Sequence, residues 1–289
     1  MRILKTREEI RNYLGGTKGQ TIGFVPTMGA LHKGHLSLVG SSKLTTDITV
    51  VSIFVNPTQF NDPNDLNFYP RDLDDDIVQL SSLLTSRDLI FLPSVDEIYR
   101  DETPPDIDLG YLDKVMEGEY RPGHFTGVVR VVNILFDIIK PDFAFFGQKD
   151  FQQLTIIREM VKQLGLTLTI VSCPIIREEN GLAMSSRNER LKPDLRQKAG
   201  IIFETLNRYR YVKTPGAVKQ VIESVIEKID SVDELRTQYF VIIDELELKA
   251  VGPDSKIDLN RKYFGCIAVH ARDVRLIDNV EFSFPVSKG

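Results

Sequence analysis

The sequence predicts an α/β fold in which a doubly wound parallel sheet is followed by a smaller C-terminal α+β domain. Short apolar, β-branched runs alternate with segments whose apolar residues recur at helical spacing. This alternation is typical of crossover units that cover a parallel sheet on both faces. After residue 180 the pattern changes to helices followed by strands, which favours a separate domain. We therefore expect one domain over residues 1–178 and a second over residues 179–289.

The elements of the first domain follow from apolar runs and from helical periodicity. Strands are predicted at residues 21–25, 48–55, 89–92, 143–146 and 168–176. Helices are predicted between them, at residues 7–13, 35–43, 73–84, 127–139 and 154–164. In the second domain we expect a charged helical run at 192–211, a Thr-Pro-Gly break, an amphipathic helix ending at residue 229, and strands at 239–243 and 266–269.

Composition excludes several classes of protein. The net charge of -5 argues against binding nucleic acid through charge alone. The start of the chain is charged and has no apolar secretory stretch, and the most apolar window, residues 128–139, contains Arg130 and Asp137, which disfavour a membrane span. Cys173 and Cys266 are too few for a disulfide scaffold. We expect a cytoplasmic protein that binds neither nucleic acid nor membrane.

The most informative segment, residues 23–36, runs from a predicted strand through a Pro and Gly turn into the start of a helix. At such a junction backbone N–H groups are free to bind an anion, and phosphate is a natural ligand. Gly29 and Gly34 have the spacing of a P-loop, but His35 and Leu36 occupy the positions of its Lys and its Ser or Thr. The GxGxxG pattern is also absent, so we expect another type of nucleotide site.

His32 and His35 are two of only four histidines in the chain. At this spacing both imidazoles lie on one side of a helical turn, where they can donate hydrogen bonds to phosphate oxygens during nucleotidyl transfer. Gly34 between them has no side chain, so a flat adenine can approach the backbone. Two alternatives remain open: surface histidines at a helix cap, and a zinc site that would need further ligands.

A second polar cluster, residues 147–153, follows another buried strand. Lys149 is a compact cation suited to the phosphates of ATP, and Asp150 beside it is a candidate ligand of Mg²⁺. A Lys-Asp pair at a strand end also fits a solvated turn. Its proximity to a phosphate site at the same sheet edge favours the functional interpretation.

The third cluster, residues 180–188, is a glycine-led loop that carries the hydroxyls of Ser185 and Ser186 and the guanidinium of Arg187. Hydroxyls and Arg are common ligands of a triphosphate, and a loop can close over bound nucleotide. The same residues also fit a plain helix cap. The acidic run at 72–76 is compatible with Mg²⁺, but acids at a helix amino end usually serve as caps, so we do not assign it as a metal site.

Six segments together resemble the pantothenate synthetase family, in the family's order and over essentially the whole chain. They are residues 26–35 (PTMGALHKGH), 54–60 (FVNPTQF), 69–71 (YPR), 121–125 (RPGHF), 146–153 (FGQKDFQQ) and 184–188 (MSSRN). This family belongs to the HIGH-type nucleotidyltransferases, whose Rossmann-like core is shared with class I aminoacyl-tRNA synthetases. The resemblance implies ATP-dependent condensation of (R)-pantoate with beta-alanine to give pantothenate, AMP and pyrophosphate through a pantoyl adenylate.

The resemblance also implies the site residues. The positions that match the family's ATP site are Met28, Gly29, Ala30, Leu31, His32, Lys33, Gly34, His35, Gly147, Gln148, Lys149, Asp150, Ile176, Met184, Ser185, Ser186 and Arg187. His35 matches the proton donor, and we expect His32 and Lys149 to be catalytic as well. Gln59 and Gln153 match the pantoate-binding glutamines, with Gln59 also near beta-alanine. Arg121 and His124 match positions close to the active site.

The resemblance implies Mg²⁺ as cofactor, with Asp150 as its candidate ligand, a C-terminal domain that acts as a lid, and a homodimer. The sequence departs from the family at Gln148, where Glu is common, and at Lys33, where an acid is common. Two rival functions are weighed against this one. Gln59 and Gln153 argue against transfer of a nucleotide to a phosphate-bearing acceptor, and a non-catalytic ATP-binding module has no need of both histidines, Lys149 and Arg187.

Overall fold

The computed structural model describes residues 1–100 and 104–284. The described chain divides into two compact units. The first consists of residues 1–148 and 152–174, and the second of residues 149–151 and those from 175 onward. The second unit therefore includes three residues that follow a strand of the first unit in sequence.

A six-stranded parallel sheet forms the centre of the first unit, in the order β1-β4-β3-β2-β5-β6. Its strands are β1 (Arg2–Leu4), β2 (Ile22–Thr27), β3 (Ile48–Ile53), β4 (Leu89–Phe91), β5 (Phe143–Gly147) and β6 (Thr169–Cys173). From β2 the chain adds β3 and β4 on one side, and then places β5 and β6 on the other. The direction reverses between β2 and β5, which is where open α/β sheets bind their ligands. The predicted doubly wound sheet is confirmed.

In the part of the chain that the structure describes, eight helices accompany this sheet: α1 (Arg7–Gly15), α2 (Lys33–Thr45), α3 (Pro63–Asn67), α4 (Leu73–Ser81), α5 (Val95–Tyr99), α6 (Glu117–Tyr120), α7 (His124–Ile139) and α8 (Phe151–Gln163). Helix α1 begins at a capping box in which Thr6 accepts from the backbone N–H of Glu9 while the Glu9 side chain accepts from that of Thr6. Helix α2 begins two residues earlier than predicted, because His32 serves as its N-cap.

The sheet is buried on both faces. Every residue of β3 is buried, as its largely apolar, β-branched sequence predicts for an interior parallel strand. Alternate side chains of β2 serve opposite faces: Phe24 belongs to the apolar cluster that includes Leu135 of α7, and Val25 to the cluster that includes Leu38 of α2. The carboxyl ends of these strands are thereby held by packing on two sides.

Up to residue 284, the second unit combines three helices with an antiparallel sheet of order β7-β8-β9. They are α9 (Pro193–Lys198), α10 (Ile201–Tyr209) and α11 (Val218–Asp230), with β7 (Leu235–Asp244), β8 (Tyr263–Ala271) and β9 (Val274–Phe282). The predicted α+β character is confirmed. The single helical run expected at 192–211 is divided between α9 and α10. At that break Gly200 lies so close to Asn180 that an added Cβ would stand 2.3 Å from its carbonyl oxygen.

Within the described ranges, no helix has both the length and the apolar character needed to cross a bilayer. Cys173 and Cys266 are both buried free thiols. Burial raises the pKa of the Cys173 thiol, which keeps it in its unreactive protonated form at neutral pH.

Candidate active site

The loop between β2 and α2 reverses the chain at the switch point of the sheet. At the end of β2, the Thr27 hydroxyl donates to the carbonyl oxygen of Ser52 on the neighbouring strand, at 2.7 Å. Gly29 and Ala30 then both adopt left-handed backbone conformations, with φ of 79° and 48°. This conformation is ordinary for glycine and uncommon for alanine. The tight turn brings the start of α2 to the carboxyl end of β2.

The two histidines of this loop stack on each other. The centroids of the His32 and His35 rings lie 4.0 Å apart, with 31° between the ring planes. His32 is the N-cap of α2, and its Nδ1 accepts from the backbone N–H of Gly34 at 3.1 Å. Because an accepting Nδ1 carries no proton, the neutral ring has its proton on Nε2. The predicted placement on one side of a helical turn is confirmed, and so is a capping role for His32.

Gln59 is held from three directions by residues of the first unit. Its side-chain Oε1 accepts from Asn56 Nδ2 at 3.1 Å, and its Nε2 donates to the sulfur of Met28 at 3.1 Å. Its backbone carbonyl accepts from His124 Nδ1 at 2.7 Å. The loop after β3 is thereby joined to the signature loop after β2. Two residues with predicted roles, Met28 and Gln59, are in direct contact.

The hydrogen bonds of His124 fix its tautomer. A carbonyl oxygen can only accept, so Nδ1 of His124 donates to Gln59. A guanidinium can only donate, so the Arg121 Nη1 that lies 3.2 Å from Nε2 donates to it. The buried imidazole is therefore neutral, with its proton on Nδ1. Arg121 and His124, which the resemblance placed near the active site, form one hydrogen-bonded chain with Gln59.

Asn56 is an organising residue to which the sequence assigned no role. It is 1% exposed, and its Oδ1 accepts from both the backbone N–H and the hydroxyl of Thr58. Its Nδ2 also donates to the carbonyl of Gly127 on α7 at 3.1 Å. An Asn-Pro-Thr sequence after a buried strand signals an Asx turn, and that signal was available. The contact of Asn56 with α7 could not be predicted from the sequence.

The chain after β5 supplies two glutamines with different surroundings. Gln152 is buried, and its Nε2 donates to the carbonyls of Leu112 and Val115 while its Oε1 accepts from the N–H of Glu117. It therefore fixes the segment that precedes α6. Gln153 lies in the first turn of α8 and is only half-buried. Because β5 runs parallel to β2, the segments that follow these two strands leave the same edge of the sheet.

The Lys-Asp pair belongs to the second unit. Lys149 Nζ lies 3.6 Å from a carboxylate oxygen of Asp150, with side-chain exposures of 19% and 50%. Asn279 Nδ2 donates to the backbone carbonyl of Lys149 at 3.1 Å. Phe151 packs against Phe264 of β8, with ring centroids 4.5 Å apart. The turn is therefore anchored on β8 and β9, which is more order than a freely solvated turn would have.

The serine loop is also firmly anchored within the second unit. The N–H of Met184 donates to the carbonyl of Ile176, so these two predicted ATP-site residues are hydrogen-bonded neighbours. Ser185 caps a short 3₁₀ helix over Ser186–Arg190 by accepting from the N–H of Arg187 at 3.3 Å. The capping alternative is therefore correct for Ser185 in this structure, while the half-buried Arg187 projects from a fixed backbone.

No dedicated metal cage is present in residues 1–100 and 104–284, because no three His, Cys, Asp or Glu side chains cluster there in a way that could hold an ion. In the acidic run, Asp72 caps α4 by accepting from the N–H of Asp75, as expected of acids at a helix amino end. Asp76 turns inward instead.

A parallel α/β sheet whose switch point carries a left-handed turn and a histidine pair at a helix start is typical of a nucleotide-binding enzyme. A sequence profile of the family described as pantoate-beta-alanine ligase matches residues 2–281. The chain belongs to this family. It is therefore a ligase that joins pantoate to beta-alanine.

Individual relatives agree over nearly the full chain. A pantothenate synthetase of Azobacteroides pseudotrichonymphae is 47% identical over 98% of this chain and 100% of its own. One from Bacteroides fragilis is 46% identical, over 98% and 99%. A solved pantothenate synthetase of Thermus thermophilus superposes with a TM-score of 0.87 at 37% identity, covering 98% and 100%. The pantoate-beta-alanine ligase of Francisella tularensis, solved with beta-gamma ATP and beta-alanine, gives 0.78 at 35%, covering 97% of each chain.

Proposed function

We propose that this ligase uses ATP in two steps, in which (R)-pantoate is first adenylated and beta-alanine then displaces AMP from the pantoyl adenylate. The observation that carries the proposal is the stacked His-x-Gly-His pair at the start of α2, at the switch point of the sheet. A carboxylate does not react with an amine at neutral pH without a better leaving group, and adenylation supplies one. The Francisella relative, described with beta-gamma ATP and beta-alanine, supports ATP as the activating substrate.

In the first step a carboxylate oxygen of pantoate attacks the α-phosphorus of ATP. A P–O bond forms as the bond to the β-phosphate breaks, and pyrophosphate leaves with the electron pair. His32 and His35 stabilise the charge that develops on the phosphates, since the helix-capping bond of His32 uses Nδ1 and leaves the ring proton on Nε2. His35 is the proposed proton donor. Lys149 and Arg187 add positive charge to the departing pyrophosphate.

The proposed ATP site takes its residues from four segments of the chain. Backbone and side chains of Met28–His35 and Gly147–Asp150 form the first part, and Ile176 with Met184–Arg187 forms the second. The N–H groups of Ala30 and Leu31 already donate to Asp76, so their contact with nucleotide would use other atoms. Lys33 is exposed and Gln148 is uncharged. Neither residue therefore buries an unpaired charge where the family commonly has an acid.

In the second step the amine of beta-alanine attacks the acyl carbon, and AMP leaves with the electron pair of the ester oxygen. Gln59 and Gln153 bind pantoate, because an amide both donates to a carboxylate and accepts from a hydroxyl. Gln59 also lies near beta-alanine, next to the Arg121 and His124 chain that holds its backbone. No covalent enzyme intermediate is required.

Mg²⁺ is the proposed cofactor. The half-exposed carboxylate of Asp150, beside Lys149, suits an ion that takes one carboxylate, water and substrate phosphates, which is the usual environment of Mg²⁺ in such enzymes. When bound, the ion neutralises charge on the triphosphate. The protein residues named above do the positioning and proton transfer.

Three properties of the whole chain complete the proposal. Residues 1–178 form the ATP- and pantoate-binding domain, and residues 179–289 form a lid domain. The enzyme acts as a homodimer. Sedimentation in the analytical ultracentrifuge, which gives the mass in solution, would test this. It works in the cytoplasm, and the two buried free thiols are consistent with a reducing compartment.

Pyrophosphate exchange tests the two-step route. Labelled pyrophosphate should be incorporated into ATP when pantoate is present and beta-alanine is omitted, because adenylation is reversible before the amine enters. Strict dependence of exchange on beta-alanine would contradict a free-standing adenylation step. Omission of pantoate is the matched control, and it should abolish exchange.

The nucleotide product separates the alternatives. The proposed reaction yields AMP with pantothenate in equal amounts. An enzyme that transfers its nucleotide to a phosphate-bearing acceptor would release pyrophosphate but retain the nucleotide in its product. A module that only binds ATP would release neither. Chromatography of the nucleotides after a single incubation distinguishes the three outcomes.

A further inference from the structure

The left-handed turn after β2 needs support from outside the loop. Two consecutive residues, Gly29 and Ala30, have positive φ values. For Ala30 this conformation costs about 1–2 kcal/mol relative to an ordinary one. Such a residue keeps its conformation only when the surrounding structure imposes it. The support comes from α4, which carries the acidic run noted in the sequence.

Asp76 of α4 binds both amides of the turn. Its Oδ2 accepts from the backbone N–H of Ala30 at 3.0 Å, and its Oδ1 accepts from that of Leu31 at 2.6 Å. The residue is 2% exposed. A carboxylate is the only side chain that offers two acceptor oxygens and no donor, so it alone can serve two neighbouring N–H groups in this way.

Gln79, one turn further along the same face of α4, holds the turn from its acceptor side. Its Nε2 donates to the carbonyl oxygen of Leu31 at 3.2 Å and to a carboxylate oxygen of Asp75 at 2.6 Å. Gly29 completes the fit, because an added Cβ there would lie 2.9 Å from Oδ2 of Asp76. Helix α4 therefore binds both the backbone N–H donors and the carbonyl acceptor of the turn.

Among the described residues, the buried Asp76 carboxylate has no counter-ion, so charge pairing does not explain its presence. In the part of the chain that the structure describes, no basic side chain forms an ion pair with Asp76. Burial raises its pKa, and the nearby Asp75 and Asp72 add to this effect, against the two backbone hydrogen bonds. A buried carboxylate without a counter-ion is costly to ionise. Its use must lie elsewhere.

We propose that Asp76 is a positioning residue for adenylation: its carboxylate locks the Gly29–Leu31 turn and thereby sets the direction in which α2 presents His32 and His35. The proposal rests on the function proposed above. His32 caps α2 one residue after Leu31, so any rotation of the Leu31 amide is passed directly to the histidine pair. The role is one of positioning, because the hydrogen bonds of the Asp76 carboxylate are made to the backbone of the turn.

The test is Asp76→Asn, with Asp74→Asn as its control. Both substitutions remove one acid from the same helix, but Asp74 is exposed. Asparagine has one acceptor oxygen, so one amide of the turn would face an NH₂ donor. We expect kcat for pantoate-dependent pyrophosphate exchange to fall about 10- to 100-fold, as a misplacement of about 1 Å can cause. The KM for ATP and the thermal midpoint should change little, and Asp74→Asn should behave as wild type.

Three results would overturn the proposal. Unchanged kcat in Asp76→Asn would show that the turn holds itself. An equal loss in Asp74→Asn would show an effect of charge alone. A lower KM for ATP in Asp76→Asn would show that the carboxylate occupies a phosphate position and competes with ATP.

A second variant tests the proposal if Asp76→Asn does not fold. Gln79→Ala removes only the bond to the Leu31 carbonyl and the bond to Asp75, and it should lower kcat several-fold at an unchanged thermal midpoint. No effect on kcat there would contradict the proposal. If wild-type enzyme forms pantothenate without any exchange, the two-step route fails, and the overall rate of condensation then reports on Asp76.

Discussion

Single hydrogen bonds decide how the imidazoles of the candidate site are oriented. His32 accepts through Nδ1, and His124 donates through Nδ1, because their partners are an N–H group and a carbonyl oxygen. The two rings are therefore opposite tautomers. The half-exposed His32 keeps its proton on the nitrogen that can meet a ligand, whereas the buried His124 uses its proton to hold Gln59 in place.

The different roles of His32 and His35 lead to a first prediction. His35→Ala should lower the rate of adenylation by about 10²- to 10³-fold, the effect of losing one donor to a developing charge, while the thermal midpoint stays the same. His32→Ala should lose a comparable rate and also a helix cap worth about 1 kcal/mol, or about 2–4 °C in thermal midpoint. Pyrophosphate exchange and calorimetry measure the two effects separately.

Leu44 of the same helix is 92% exposed and provides the control for both histidines. Leu44→Ala should leave exchange and thermal midpoint close to wild type. If His35→Ala were fully active, or if it unfolded together with His32→Ala, the pair would be a structural cap without a catalytic function.

Lys149 carries a second prediction at this scale. Lys149→Ala should reduce the adenylation rate on the order of a hundredfold, about 3 kcal/mol of transition-state stabilisation. Stability should hardly change, because an ion pair with the half-exposed Asp150 contributes less than about 1 kcal/mol. Lys162→Ala, at a lysine of α8 that is 79% exposed, is the matched control. Near-normal kinetics in Lys149→Ala would identify a turn residue of no catalytic importance.

At the scale of elements, α7 and the turn after β3 are in close backbone contact within the candidate site. Gly127 leaves no room for a side chain, since an added Cβ would lie 2.3 Å from the carbonyl oxygen of Thr58. The helix can therefore reach the Asn56 amide with its own backbone. The position of Gln59 depends on this contact as well as on its own hydrogen bonds.

A pair of glycine substitutions tests that dependence. Gly127→Ala should push the turn away from α7, lower kcat/KM for pantoate and reduce stability by about 1–3 kcal/mol, as overpacking does. Gly40→Ala is the control, because Gly40 lies in α2 with nothing within 4 Å of an added Cβ. It should raise stability by about 0.5–1 kcal/mol and leave kcat/KM unchanged.

Steady-state kinetics with varied pantoate and urea unfolding measure the two quantities for both variants. A Gly127→Ala enzyme with normal kcat/KM for pantoate would show that the turn tolerates displacement. The assignment of Gln59 to pantoate would then lose its structural support.

Among the elements, the strands of the first unit that carry apolar, β-branched runs were predictable from sequence, whereas β9 was not. The five predicted strands of the first unit are present as β2 to β6. Strand β9 alternates Val274, Leu276, Val280 and Phe282, but Asp278 stands in the inward series. Its carboxylate is paired with Arg177 at 2.6 and 3.0 Å, and nothing in the local sequence reveals that partner.

The same reasoning explains what could be predicted of the candidate site. Segments that follow strands were placed correctly at the sheet edge, because parallel strands share one carboxyl edge. The supporting residues Asn56, Asp76 and Gln152 were not found. Each makes its bonds to a segment distant in sequence, so their role depends on tertiary packing that no local pattern encodes.

At the scale of the molecule, buried carboxylates with opposite pKa shifts set how the first unit responds to acid. Asp88 is fully buried, which opposes ionisation, but the Lys43 ammonium and the N–H groups of Thr49 and Thr85 outweigh burial and lower its pKa. A lowered folded-state pKa contributes stability above the unfolded value of about 3.9, and that stability is lost as pH falls through the folded value. Asp76, with its raised pKa, has the opposite sign.

Asp88→Asn therefore should destabilise the protein by about 3 kcal/mol at pH 7, since it leaves the Lys43 charge without its partner. The difference from wild type should shrink as the pH is lowered below about 4, where the wild type loses the same contribution. Urea unfolding at a series of pH values measures it. Asp137→Asn, at an exposed pair with Arg11, should change stability by less than about 1 kcal/mol. A gap for Asp88→Asn that stays constant with pH would contradict the assignment.

The strand order of the central sheet has a consequence for how the protein is made. Strand β2 pairs with β5 through Gly23 and Phe143, so its partner is synthesised much later. At about 5–20 residues per second, the ribosome needs on the order of 10 s to extend the chain from one strand to the other. During that interval the hydrogen-bonding edge of β2 that later meets β5 lacks a partner and requires protection from aggregation. The histidine pair is made early, and the crevice that uses it can form only once β5 has left the ribosome.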